Sequence, residues 1–292
     1  MSIRRSVMFL LLAGWMFAMG HIVVGQAPPA EPKPVPIPPV NKPEPAKPET
    51  LKPGNGAPPA AEKKTPGTAD PETAKLLDKM DELSYMAARK GLKKATLKGT
   101  FKTEAMGTSS EGAFDYAWDG QAGKLSFANA ADRGSAARAG LEAKKLEEHF
   151  RDTRWPDQFS GCKLSSVLVD GKTKIVCEGD QLDGIKSVTL NAQGLPASLE
   201  MNFKKAGPPT AGLMTTEFAE HEGQYVLKKQ VINIAIQGMG TIAVTVENEY
   251  AVVGKYYVPV KETMVSRMGE QQMSSSVFTY SDYKFDDEVQ LP

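Results

Sequence analysis

The sequence predicts a mainly β protein of the α+β class, an antiparallel meander carrying two helical segments. Three observations predict it. Fifteen of the 21 prolines fall between Pro28 and Pro71, which confines a folded domain to the residues beyond. From there, roughly ten to twelve alternating segments follow one another, separated by short turn signals. Only two stretches repeat their apolar residues at helical spacing.

The chain opens on an export signal. Arg4 and Arg5 precede an apolar run from Val7 to Met19, and small residues follow. A short cationic segment, an apolar helix and small exit residues are what the secretion machinery reads. The pattern predicts a signal peptide over residues 1–25, cut after Gly25. Counted on through Val24, the run nears the roughly 18 residues that a membrane span needs, so an uncleaved anchor is the alternative. No cysteine stands near the end of the run to serve as a lipoprotein attachment site.

Residues 26–70 form a tether. Proline fixes φ and removes backbone donors, so Glu31-Pro32-Lys33-Pro34-Val35-Pro36 and its continuation can enter neither a helix nor a sheet interior. An extended polyproline-like spacer at ~3.1 Å per residue would reach on the order of 100 Å. The domain then occupies residues 71–292.

Asp70, Pro71 and Glu72 suit a helix start. Leu76, Leu77, Met80, Leu83 and Ala87 repeat at helical spacing, and Gly91 is a natural stop. Residues 97–102, 113–119 and 124–127 read as strands, the second with Phe114, Tyr116 and Trp118 on one face. A second helical patch runs over 135–150, with Ala139, Ala143, Leu146 and Phe150 on one side. Trp155-Pro156 begins an irregular link. Strands are expected at 185–191, 198–203, 213–218, 225–236, 241–252, 256–265 and 273–285, with Gly-containing turns between them.

Cys162 and Cys177 flank a hairpin turning at Asp170-Gly171, which brings the thiols onto neighbouring strands. In an oxidising compartment they are expected to pair, contributing ~3 kcal/mol for so short a loop. A two-residue turn sets them diagonally, so a bulge or a longer turn is expected to bring them into range.

The charges exclude one class of partner. The chain has 35 basic and 35 acidic residues, or 33 − 35 = −2 without Arg4 and Arg5. Nucleic-acid binding needs a basic excess or stripe, and none is present. No catalytic constellation stands out either. His149 and His221 have no sequence partner to make a zinc site, so neither a metal nor a cofactor is expected. Gly171-Lys172-Thr173 lacks the glycine and the helix of a phosphate loop. Gly238-Met239-Gly240-Thr241-Ile242-Ala243 lies between strands where a dinucleotide site would need a following helix. The chain is not expected to be an enzyme.

What remains is a set of aromatic and methionine-rich inner faces. Phe101, Phe114, Tyr116, Trp118, Leu125 and Phe127 cluster early, and Met201, Phe203, Met214 and Phe218 later. Such faces make either solid core or a lining. One meander and two helices do not easily cover a long sheet. If the sheet curves and the helices close its mouth, these ten residues line an apolar cleft, and methionine adds adaptability there.

The pattern also resembles a known family. An export signal, the Leu-rich helix Ala74-Lys75-Leu76-Leu77-Asp78-Lys79-Met80 and the strand Ala95-Thr96-Leu97-Lys98-Gly99-Thr100-Phe101 resemble the periplasmic lipoprotein carriers, the LolA/LolB-like proteins. Gly254-Lys255-Tyr256-Tyr257-Val258-Pro259-Val260 is similar to the family's strand before its last hairpin. Phe278-Thr279-Tyr280-Ser281-Asp282-Tyr283-Lys284-Phe285 is similar to the last strand of outer-membrane lipoprotein-sorting sequences. The resemblance implies a curved antiparallel sheet forming an incomplete β-barrel, with the helices as a lid. It also implies an exported, periplasmic or otherwise extracytoplasmic protein that binds a lipid, an acyl chain or an acylated protein without covalent chemistry, with the membrane surface a further partner. The family's arginine at the cavity mouth has Arg133 and Arg138 as candidates by position. The alternative is a non-catalytic scaffold presenting its domain to another protein on a proline-rich stalk.

Overall fold

In the computed structural model, which describes residues 68–286 apart from 106, 128–132, 160, 179–182, 204–209 and 237–239, Asp70 caps the first helix, α1, over Pro71–Leu83. The Asp70 carboxylate accepts from the amides of Glu72 and Thr73 at 3.0 and 2.9 Å. The Thr73 amide above all favours the ionised form and holds the Asp70 pKa below its ordinary value. The export signal and residues 26–67 of the tether lie outside the described residues; Thr68 and Ala69 form a short strand and Asp70 the helix cap, so the folded domain begins before residue 71.

The helix ends before the expected stop at Gly91. The Ser84 hydroxyl turns back to the carbonyl of Met80 at 2.7 Å, and the Tyr85 amide leaves the helix to donate to the Tyr225 carbonyl at 2.9 Å. A 3₁₀ turn over Ala87–Lys90 follows, and Gly91 closes it at φ 91°. Competition from a strand therefore overrides local propensity.

Among the described residues, thirteen strands form one sheet. They are β1 (Thr68–Ala69), β2 (Ala95–Ala105), β3 (Thr108–Trp118), β4 (Gly123–Phe127), β5 (Lys163–Val169), β6 (Lys172–Glu178) and β7 (Asp183–Leu190). Then come β8 (Pro196–Phe203), β9 (Thr210–His221), β10 (Gln224–Ile236), β11 (Gly240–Val253), β12 (Tyr256–Met268) and β13 (Gln271–Phe285). Their spatial order is β1-β5-β6-β7-β8-β9-β10-β11-β12-β13-β2-β3-β4. All neighbours run antiparallel except β1 and β5, which are parallel. The sheet is curved and stays open, with β1 and β4 at its free edges. Two residues beside a proline-rich tract give no periodicity to read, so β1 leaves no mark in the sequence.

The final strand pairs with the first long one, Phe278 opposite Phe101. The passage from β4 to β5 must therefore cross from one edge of the sheet to the other. It carries α2 (Arg133–Phe150) and α3 (Trp155–Gln158). The short α3 occupies what reads in sequence as an irregular link.

Side chains alternate in β2, with Ala95, Leu97, Phe101 and Thr103 buried and Lys98, Thr100 and Lys102 exposed. The inner face holds two apolar clusters. In one, Leu77 and Met80 of α1 pack against β5 to β11. Within it Ile175, Val188, Leu199, Met214, Ile232 and Val244 stand opposite one another in successive strands. The other joins α2 to β2, β3, β12 and β13 through Leu146, Phe150, Phe101, Phe114, Tyr116 and Trp118.

Cys162 and Cys177 form a disulfide with Cα atoms 5.5 Å apart. The bulge or longer turn expected for it is absent. Val169 faces Lys172 across a two-residue turn in which Asp170 and Gly171 have φ of 50° and 73°, the primed geometry that matches strand twist. Cys162 instead lies just before β5, free of the ladder with Cys177's strand. The far end of this hairpin stands out from the sheet, since β6 meets β7 only at Lys174–Val176. It exposes Val167, Leu168 and Val169, with Leu168 76 % accessible.

Candidate ligand-binding face

The inner face of β2 to β4 is built from rings laid over glycines. A Cβ at Gly99 would meet the Phe114 ring at 2.1 Å, one at Gly112 the Phe101 ring at 2.7 Å, and one at Gly123 the Tyr116 hydroxyl at 2.3 Å. Each glycine thus makes room for an aromatic ring on the neighbouring strand. Helix α2 closes over them. The Phe150 ring lies 6.2 Å from that of Tyr116 and 5.9 Å from that of Trp118.

Phe101, Phe114, Tyr116 and Trp118 are buried, while Leu125 and Phe127 on the edge strand β4 are partly buried and pack against the same cluster. The structure therefore brings together the six early candidates. Met201 and Met214 belong to the other cluster, beneath α1. Alternation within a strand identifies the inner side but not which helix will cover it. Phe218 is half-buried further along β9. The backbone of Phe203 ends β8; its side chain, like those of Arg133 and Arg138, lies outside the described set.

Two hydrogen-bond donors in this face have no partner among the described residues, the Tyr116 hydroxyl and the Trp118 indole N–H. Burial, with the Glu147 and Asp119 carboxylates adding to it, drives the Tyr116 pKa up. Glu147 accepts from the Gly123 amide at 3.3 Å and from Arg151 at 3.3 Å.

Next to the rings, α2 meets β12 and β13 through charge. Lys145 donates to Glu142 at 2.7 Å and also to Glu262, and the Tyr280 hydroxyl donates to Glu142 at 3.0 Å. Burial, reinforced by the Glu142 carboxylate, pushes the Glu262 pKa up to about 7. Burial also drives the Tyr280 hydroxyl well above its ordinary value. One face of α2 is therefore apolar over β2 to β4 and ionic over β12.

At the end of the sheet near Tyr225, aromatic rings gather around the two histidines. The His221 ring stacks on Tyr257 at 4.1 Å, and His149 lies 5.9 Å from Tyr85 and 5.7 Å from Tyr250. His149 Nε2 is 3.0 Å from the Tyr257 carbonyl. Burial pushes the His149 pKa down to about 4, so its ring is neutral near pH 7. The two histidines far apart in sequence are thus near neighbours in space, a convergence that linear spacing cannot reveal. Tyr85, Tyr250 and Glu262 were missed for the same reason, although Tyr256-Tyr257 marks an aromatic strand start.

Among the described residues no three His, Cys, Asp or Glu side chains converge as a metal site. None of the described helices is long and apolar enough to cross a membrane.

No protein-family model matches the chain, and no curated protein does. Solved structures do. The chain is similar to a LolA superfamily protein from Nitrosomonas europaea, at 11 % identity over 75 % of this chain and 94 % of the other, with a TM-score of 0.30. It is similar to a DUF1329 family protein from Desulfovibrio piger, at 10 % identity over 76 % and 95 %, with a TM-score of 0.29. A third is a candidate outer membrane lipoprotein-sorting protein domain from Vibrio parahaemolyticus, at 8 % identity over 74 % and 93 %, with a TM-score of 0.25. Superpositions at these TM-scores are loose.

Proposed function

We propose that this is an exported cell-envelope protein that binds a lipid, an acyl chain or an acylated protein non-covalently, between α2 and the inner face of the sheet. The observation that carries this reading is the open, curved sheet with an apolar inner face lying under α1 and α2. Thirteen strands at ~4.8 Å spacing span roughly 60 Å around the curve. Two helices lie against that inner face, α1 over β5 to β11 and α2 over β2 and β3. A flexible hydrocarbon chain seated between α2 and this apolar face would be shielded from water, at about 25 cal/mol per Å² buried. Leu125 and Phe127, partly buried at the free edge, offer a way in. The export signal and proline-rich tether support a place outside the cytoplasm, with the domain held away from a membrane. No step here calls for bond making or breaking.

The test is extraction of the purified protein with organic solvent followed by mass spectrometry, together with uptake of a fluorescent fatty acid. Co-purifying lipid and saturable uptake are expected. A protein that carries no lipid and takes up no probe overturns the reading.

The exposed hairpin tip at Val167, Leu168 and Val169 favours a second reading, a protein-docking scaffold. A Leu168→Lys variant that keeps lipid uptake but loses co-purifying proteins would support it.

A further inference from the structure

We propose that Tyr116 and Trp118 form a paired donor site for a neutral carbonyl, the ester or amide carbonyl at the head of an acyl chain. This rests on the acyl-ligand reading above. The two residues are alternate positions of β3, and both are 1 % exposed. The Tyr116 hydroxyl and the Trp118 indole N–H are without partners among the described residues. Buried polar groups in folded proteins are almost always paired, and a lone orphan costs free energy. Two such donors at successive inward positions of one strand call for an acceptor.

Both residues flank Gly123. Tyr116 leans across the sheet so that its hydroxyl lies over Gly123, 2.3 Å from where a Cβ would stand. Gly123 is also the residue paired with Trp118. Both rings touch Phe150 of α2. Beyond Gly123 the sheet ends, so a ligand reaches this point from the free edge, past Leu125 and Phe127.

The chemistry of the pair narrows the ligand. An indole N–H can only donate, so the group it meets must accept. A bare hydrocarbon would leave both donors unsatisfied. An anionic head would face the Glu147 carboxylate, which holds the Gly123 amide, and Asp119 just beyond β3; both already disfavour negative charge at Tyr116. An ester or amide carbonyl has two lone pairs and no charge, and the chain attached to it suits the apolar face.

The experiment displaces the neutral fluorophore N-phenyl-1-naphthylamine from the full chain with methyl laurate, laurate or 1-chlorododecane. Wild type is expected to favour methyl laurate over 1-chlorododecane by about tenfold, and Tyr116→Phe to cut that ratio by about two- to tenfold, as one hydrogen bond warrants. Trp118→Phe is expected to act likewise. Because Tyr116→Phe removes an orphaned hydroxyl, it should also raise the Tm of the ligand-free protein. A ratio unchanged in Tyr116→Phe with a lowered Tm means that a buried water or a protein group already pairs the hydroxyl, and overturns the inference. Equal binding of ester and chloride, or a preference for laurate, overturns it while leaving acyl binding intact. Displacement by none of the three overturns the acyl-ligand reading itself.

Discussion

Glu262 stands in β12 with Glu142 and Lys145 beside it, so two carboxylates share one ammonium in a nearly dry site. Its pKa, pushed up to about 7 by burial and by Glu142, lies above the value it takes in the unfolded chain. The folded state therefore holds its proton more tightly. The resulting stabilisation is complete below about pH 4.5 and is lost as the pH rises through 7. Glu262→Gln, which mimics the protonated form, should stabilise the domain at pH 8 by on the order of 1 kcal/mol, with the gain vanishing at pH 5. Thermal melts at the two pH values check this, and a loss of stability at pH 8 would show that the ion pair with Lys145 outweighs the repulsion. His149 behaves in the opposite sense. Its pKa is pushed down to about 4 by burial, so its contribution is present above about pH 6.5 and is lost as the pH falls towards 4. Gly123→Ala tests packing instead. Its Cβ would overlap the Tyr116 hydroxyl and ring at 2.3–2.7 Å, and a cost of roughly 1–3 kcal/mol in urea unfolding is expected.

The elements around the sheet are joined by one acidic side chain. Asp81, near the end of α1, accepts from Arg154 Nε at 3.0 Å and from the Trp155 amide at 2.7 Å. Arg89 of the 3₁₀ turn donates to its carbonyl and reaches Asp152 at 2.6 Å. This tie connects α1, the turn after it and α3. Asp81→Ala should cost roughly 2 kcal/mol and red-shift the emission of Trp155, whose indole donates to Ser84 at 3.2 Å. Reducing the Cys162–Cys177 bridge, or replacing both cysteines by serine, should cost up to ~3 kcal/mol, read as a lower urea midpoint. Elements of this kind are unevenly legible in a sequence. The Asp70 cap, the stripe of α2 from Ala139 to Phe150 and the Asp170-Gly171 turn are all local and could be read directly. The break after Leu83 could not, because the carbonyl that draws Tyr85 out of the helix belongs to Tyr225, far along the chain.

On the scale of the whole molecule the same division holds. Alternation made the meander and the inward rings of β3 readable. What it left hidden was lateral, namely which strand ends beside which and which helix covers which face. Met214 and Phe114 look alike as inner-face residues, yet one lies under α1 and the other under α2. The two ends of the chain's strand run are joined in the open sheet by the pairing of β13 with β2, where the hydroxyls of Thr103 and Ser276, 173 residues apart, meet at 3.1 Å. Removing β13 would expose β12 and β2 as two new long edges, so a chain ending at residue 270 is expected in the pellet rather than the supernatant after expression. The same pairing sets a clock. At roughly 5–20 residues per second of synthesis, β2 would wait on the order of 10–30 s for its partner strand to emerge. Until then the nascent chain has no finished sheet to lock it, and β2 keeps one long edge unpaired.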